Sequence, residues 1–280
     1  MGVLNVTPDS FSDGGRYATP DAAVAHGLRL LDEGADILDI GGESTRPGAA
    51  IQGDHGEKPS VSSEEELARI LPVIEAIRKQ RPAAILSVDT YKSQVARAGV
   101  NAGAEIVNDV SGFEWDRAMA ATCAGLQCGV VLMHTRGRPN EWKRQEPSND
   151  ILREVEHDLA NRVQTAFGAA VDRDRIVLDP GLGFGKNSDE NYALVSEFGR
   201  FHEIGFPLLA GASRKGFIGR TVEQRTGHEV GPADRLYGSI AAMVACILQG
   251  AHIVRVHDVK ASLEAAAVAD AILAASERGS

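Results

Sequence analysis

Short apolar runs recur along the chain, and each ends in polar residues that open onto a loop. Gly2-Val3-Leu4-Asn5-Val6 leads into residues 7–15, which are dense in turn formers. Residues 36–40 lead into Gly41-Gly42-Glu43-Ser44-Thr45-Arg46-Pro47-Gly48. Residues 85–88 reach Asp89-Thr90, Ile106-Val107 reaches Asn108-Asp109, and residues 130–133 reach His134-Thr135. Ile176-Val177-Leu178 runs to Asp179 and then to Pro180-Gly181-Leu182-Gly183-Phe184-Gly185-Lys186. Residues 207–210 run to Gly211-Ala212-Ser213-Arg214-Lys215-Gly216, and residues 252–254 to Arg255-Val256-His257-Asp258. Runs of this length, apolar and rich in β-branched side chains, are what a parallel strand buried on both faces requires.

Helical spacing fills the intervals. Ala23, Val24, His26, Gly27, Leu30 and Leu31 predict a helix over residues 20–33, with Gly34 as its C-cap. Ser63 with Glu66 reads as a capping box ahead of Leu67, Ile70, Leu71, Ile74 and Ile77. Ile151, Leu152, Val155, Leu159, Val163 and Phe167 mark a longer amphipathic helix. Residues 236–248 are apolar almost all round, a pattern of a partner-facing or well-covered helix. Residues 49–62 are polar and glycine-containing, and read as a mobile surface loop. Eight strand-loop-helix units without a hairpin signal predict an α/β fold, a single-domain (β/α)8 TIM barrel over residues 1–280. Its site would lie at the carboxyl ends of the strands.

Composition narrows this picture. A chain of 280 residues suits one barrel of about 250 residues. With 43% hydrophobic and 24% charged residues it has the make-up of a soluble protein, and no apolar run approaches the ~20 residues of a membrane span. No signal peptide opens the chain, so a cytoplasmic location without membrane attachment is expected. A net charge of −10 without a basic cluster argues against nucleic acid and requires any bound anion to be held locally. Cys123, Cys128 and Cys246 match no zinc spacing and read as buried small hydrophobes in a reducing compartment.

The predicted strand ends bring Asn5, Asp89, Asn108, His134, Asp179, Lys215, Arg255 and His257 to one mouth. Two carboxylates, an amide and an ammonium suit a flat heterocycle: a carboxylate accepts paired N–H bonds from an amino-pyrimidine edge, and Lys215 donates to a ring carbonyl. Arg255, His257 and Thr45 are anion ligands, and Asn5 offers an oxygen to a hard cation such as Mg2+. The glycine run after Asp179 has Pro180 and Asn187 where a nucleotide-binding loop needs glycine and Ser or Thr. It lets the backbone approach a ligand, to which Phe184 would present a ring and Lys186 a charge.

Residues 1–15, the Glu-Ser-Thr-Arg-Pro-Gly stretch 43–48, Ser87-Val88-Asp89-Thr90, Asn108-Asp109-Val110-Ser111-Gly112, residues 179–186, Ser213-Arg214-Lys215 and residues 255–258 together resemble the dihydropteroate synthase family over nearly the whole chain. The resemblance implies condensation of 6-hydroxymethyl-7,8-dihydropterin diphosphate with p-aminobenzoate, giving 7,8-dihydropteroate and pyrophosphate, by a homodimeric enzyme. It implies that Asp89, Asn108, Asp179, Gly211 and Lys215 hold the pterin, with Val110, Met133 and Phe184 along its faces. Asn5 would reach Mg2+, and Asn5, Thr45, Arg255 and His257 the diphosphate. Phe11, Arg46, Pro47, Phe184 and Ser213, with Asp9 on the first loop, would make the p-aminobenzoate site. The sequence departs from the family at its start, where Met1 already sits on the first strand, and in the long segment 51–60. Two other classes compete. A non-catalytic pterin-binding paralogue would lack the loop residues Phe11, Thr45, Arg46 and Pro47, and a Schiff-base lyase built on Lys215 fits the acid-rich mouth poorly.

Overall fold

The computed structural model describes residues 1–7, 20–45, 48–51 and 60–277. Strands and helices alternate as β1 (Gly2–Asn5), α1 (Pro20–Asp32), β2 (Ile37–Gly41), α2 (Ser63–Gln80), β3 (Ile85–Asp89), α3 (Ser93–Asn101), β4 (Ile106–Asp109) and α4 (Met119–Leu126). They continue as β5 (Gly129–Met133), α5 (Ile151–Gly168), β6 (Ile176–Asp179), α6 (Ser188–Ser196), β7 (Leu209–Ala210), α7 (Gly216–Thr226), α8 (Leu236–Leu248), β8 (Ile253–Val254) and α9 (Val259–Glu277). Strands β1 to β6 pair in chain order, all parallel, and β7 pairs with β8. The two groups join at both seams. Leu178 N donates to Pro207 O at 2.9 Å, and Val3 N to Val256 O at 2.9 Å. Parallel bridges Leu178–Leu208 and Gly2–Val256 complete the closed barrel, which removes the unpaired edges that an open sheet would expose. Pro207 supplies no N–H, which helps keep β7 to two residues.

Alternation along each strand divides the side chains between two layers. Leu4, Leu38, Ile40, Leu86, Val88 and Val107 point outward and are fully buried with helix residues such as Ile70, Ile74 and Ile77. Each side chain of this kind contributes about 1.5–3 kcal/mol when taken from water. Inward, Met1, Val131 and Leu209 pack with Ile37, Ile106, Val177 and Ile253 into a smaller cluster that plugs the barrel.

The α2 cap differs from expectation by one residue: Ser62 is the N-cap and Glu65 its capping-box partner, with Ser62 Oγ accepting from Glu65 N at 3.1 Å. The shift leaves Glu66 buried against Lys92. Part of the connection between β2 and α2 is also not a free surface loop. Ile51 is fully buried and packs with Tyr91, Val110 and Met133, because one apolar side chain suffices to pin a polar segment. The three cysteines are buried and unpaired, as expected of small hydrophobes. No helix among the described residues is long and apolar enough to cross a membrane.

Candidate active site

Period two places a polar layer directly on the barrel's apolar plug. Two residues beyond Ile37, Ile106, Val131, Val177, Leu209 and Ile253, on the same strand faces, stand Asp39, Asn108, Met133, Asp179, Gly211 and Arg255. Strand register sets Asn5 beside Gly41, Gly41 beside Asp89, and Asp89 beside Asn108. Side chains that lie far apart in sequence therefore meet at one mouth.

Arg255 spans this layer. Its Nε lies 2.6 Å from Asp39 Oδ2 and its Nη2 2.6 Å from Asp89 Oδ2. Asn108 Nδ2 donates to the same Asp39 oxygen at 2.9 Å. Asp39, fully buried, thus orients both the amide and the guanidinium. Burial raises the Asp89 carboxyl to about 7, with Arg255 opposing the rise and Asp39 adding to it. Burial by itself lowers Arg255, but the Asp39 and Asp89 charges outweigh it and hold the guanidinium above its ordinary value. Asp39 was not singled out in the sequence, although an acid inside a strand buried on both faces has to find a partner.

Asp179 opens the glycine loop and accepts from Gly181 N at 2.7 Å. Gly181 has φ +69°, and a Cβ there would stand 1.8 Å from the His134 carbonyl oxygen, so only glycine lets the loop fold back onto β5. Burial raises the Asp179 carboxyl, while the Gly181 N–H and Lys215 oppose that rise. Lys215 Nζ lies 3.8 Å from the centre of the Phe184 ring, which Trp142 meets edge-on at 5.2 Å. Burial, then Arg255, lowers Lys215 to about 7 against the pull of Asp179 and Asp89. Val110 and Met133 share a cluster that Phe184 flanks, so the apolar faces expected around a planar ring are assembled beside the polar ones.

His257 and Ser213 are adjacent. The Ser213 Oγ accepts from the His257 backbone N at 3.2 Å and lies 3.0 Å from His257 Nδ1. The hydroxyl keeps a second lone pair, so which partner donates in the Ser213–His257 contact follows the imidazole tautomer. Burial lowers His257 to about 3, with Arg255, Arg214 and Lys215 adding to the effect. In the empty mouth burial and the neighbouring cations therefore favour the neutral imidazole of His257. Arg214 holds φ +59° and forks onto Asp258 at 3.0 and 2.6 Å, tying the β7 and β8 loops together. Asn5 closes β1 and Thr45 lies half-buried beyond β2.

Two expectations change. Lys186 is buried, and its Nζ donates to Gly181 O at 2.7 Å and Phe184 O at 3.3 Å, so it props the glycine loop from within and does not face a ligand. His134 is fully buried and points to Asp158 of α5 at 3.3 Å, away from the mouth, since it falls on the outward phase of the strand. Phe11, Asp9, Arg46 and Pro47 lie outside the described residues, as do residues 52–59.

Comparison with known proteins agrees with this geometry. The profile of the family described as "Pterin binding enzyme" matches residues 1–257. The dihydropteroate synthase of Escherichia coli (strain K12) is 44% identical over 278 residues, covering 99% of this chain and 92% of that protein. The structure of Xanthomonas albilineans dihydropteroate synthase with 4-aminobenzoic acid superposes with a TM-score of 0.86 at 45% identity, covering 98% of this chain and 92% of that one. A Yersinia pestis dihydropteroate synthase structure with a sulfonamide drug gives 0.87 at 39% identity, covering 98% and 93%.

Proposed function

This chain belongs to the pterin-binding enzyme family, and on that premise we propose how its mouth carries out the family's reaction. The chain is a transferase of the dihydropteroate synthase kind: it joins the methylene carbon of 6-hydroxymethyl-7,8-dihydropterin diphosphate to the amine of p-aminobenzoate, with pyrophosphate as leaving group. The observation that carries the assignment of roles is the polar layer of Asp89, Asn108, Asp179 and Arg255 above the apolar plug, with Lys215, the N-cap of α7, set against the charges of Asp179 and Asp89.

In this reading Asp179 and Asn108 take the donor edge of the pterin, Asp89 a further ring N–H, and Lys215 the ring carbonyl. Gly211 leaves room beside Asp179, and Val110, Met133 and Phe184 cover the faces. Arg255, His257, Thr45 and Asn5 receive the diphosphate. An aromatic amine is a weak nucleophile, so departure of the diphosphate leads and the acid-lined mouth stabilises the positive charge left on the methylene. The aminobenzoate nitrogen then forms the C–N bond and loses its proton. Phe11, Arg46, Pro47 and Asp9 are assigned with Phe184 to the aminobenzoate side. Ser213 is assigned there too, although its hydroxyl is engaged by His257.

No group of three His, Cys, Asp or Glu among the described residues is placed to hold a metal alone. Asn5, which ends β1, would offer its amide oxygen to an ion otherwise carried by substrate phosphates and water. Mg2+ bound there would offset the charge of the leaving diphosphate. We extend the domain to residues 1–280, because α9 packs on α8 and Val259 reaches Gly2 of β1. A homodimer is supported by exposed Tyr237 and Leu248 of α8 and Leu263, Val268 and Ile272 of α9. The three unpaired cysteines support a cytoplasmic location. The functional test is pyrophosphate release, which should require both substrates together. Release with the diphosphate alone at the same rate would identify a hydrolase instead.

A further inference from the structure

Phe184 stands between two glycines, Gly183 at φ +86° and Gly185 at φ +71°, so neither sequence neighbour offers a side chain to steady its ring. Its backbone is held from elsewhere: Lys186 Nζ and Arg136 N both donate to Phe184 O, at 3.3 and 3.5 Å. A fixed carbonyl still leaves several staggered rotamers of the side chain open. The ring angle is set by the connection between β5 and α5.

Trp142 of that connection is 8% exposed and stands perpendicular to Phe184, with ring centres 5.2 Å apart and planes at 86°. Packing of this kind favours one orientation of each ring. Glycine at position 185 permits the approach, since a Cβ there would stand 3.0 Å from Trp142 Cδ1 and 2.6 Å from Arg136 O. The indole is itself anchored. Its Nε1 donates to Gly137 O at 3.3 Å, while Gln145 Nε2 donates to Arg136 O at 3.2 Å and Arg138 N to the Glu141 carboxylate at 2.8 Å, which closes the connection on itself. Arg136 fastens it to the neighbouring helices through Glu154 at 2.8 Å and Glu190 at 3.3 Å. Lys215 rests on the ring so oriented, its Nζ 3.8 Å from the centroid. Two rings thus link the β5–α5 connection to the site: the indole fixes Phe184, and Phe184 seats the ammonium.

We propose that Trp142 is a positioning residue, holding the Phe184 ring at the angle that forms both the apolar wall of the pterin side and the seat of Lys215. The inference rests on the reading that Phe184 and Lys215 take the pterin. Trp142 touches no reacting atom and acts through Phe184 alone.

The test is a double-mutant cycle of Trp142→Leu and Phe184→Leu, with kcat/KM for the pterin diphosphate measured at saturating p-aminobenzoate and Tm followed for every variant. Trp142→Leu is expected to lower kcat/KM roughly tenfold, the scale of a small misplacement of a binding group. Phe184→Leu should lower it at least as far. The double variant should stay within about twofold of Phe184→Leu, because the indole then has no ring to hold. Trp142→Phe, which keeps an aromatic edge, should recover most of the loss. Where Trp142→Leu does not fold, Trp142→Met replaces it in the cycle. Losses that multiply in the double variant would show that Trp142 acts independently of Phe184 and would overturn the assignment. So would a Trp142→Leu variant that loses only Tm or nothing at all, or a Trp142→Phe variant as impaired as Trp142→Leu. Phe184→Leu as active as wild type, or wild-type enzyme that fails to join the substrates, would instead overturn the functional reading on which the inference rests.

Discussion

In the proposed roles Asp179 anchors the pterin side: it is buried, held by the Gly181 N–H and set against Lys215. Asp179→Asn keeps its shape and removes its charge, so kcat/KM should fall by roughly 10²-fold or more, the usual loss for one electrostatic stabiliser. Unchanged kinetics would remove it from the site. Asp89 and Lys215 make a second prediction, about pH. With Asp89 raised to about 7 and Lys215 lowered to about 7, the empty mouth has an ionised acid only above that value and an ammonium only below it. If the pterin requires both charges, kcat/KM for the diphosphate ester should follow a narrow bell centred near pH 7. The stability contribution of Lys215 has the opposite sign to an ordinary ion pair. Between about 7 and its unfolded value near 10.4 the unfolded chain binds more protons, so this contribution grows with pH across that window. A kcat/KM profile flat from pH 6 to 9 would contradict the assigned charges. Most of these residues were legible because an acid, amide or base at a strand end has few structural excuses. Asp39 was not, because its importance comes from a partner distant in sequence, Arg255.

Among the elements, the glycine loop after β6 shows how local sequence both revealed and misled. Alternating glycines correctly announced positive φ at Gly181, Gly183 and Gly185. They did not announce that Lys186 turns back to cap carbonyls of its own loop, since a lysine after a glycine run reads equally as a ligand. Gly181→Ala would place a methyl group against the His134 carbonyl in a backbone region that costs an L-residue about 1–2 kcal/mol before any clash. A clear fall in Tm is expected from thermal melting, with kcat/KM falling further than in a surface glycine control such as Gly168→Ala, where an added Cβ meets nothing within 4 Å. Equal effects of the two substitutions would mean that the loop has no special conformation to protect. The α2 capping box slipped by one residue for a similar reason. Ser62 and Ser63 are both competent caps, and the choice is made by Glu66, which is drawn inward to Lys92.

For the whole molecule, the barrel followed from counting, since eight apolar runs each separated by a helix leave few parallel arrangements other than a closed ring. The way the ring closes was not readable: the seams rest on single bridges between β6 and β7 and between β8 and β1. The exposed apolar side chains of α9 support a dimer, and Val268→Glu, on a residue 62% exposed, should lower the apparent mass toward that of one chain in light scattering with the fold retained. An unchanged mass would place the interface elsewhere. The central claim is that one strand-end layer joins two substrates by expelling pyrophosphate. It is tested most directly by following pyrophosphate and 7,8-dihydropteroate together in a single reaction of the wild-type chain. The two should appear in equal amounts, only when both substrates are present, and both should fall in step in Asp179→Asn. Tight pterin binding with neither product formed, or pyrophosphate without dihydropteroate, would contradict it.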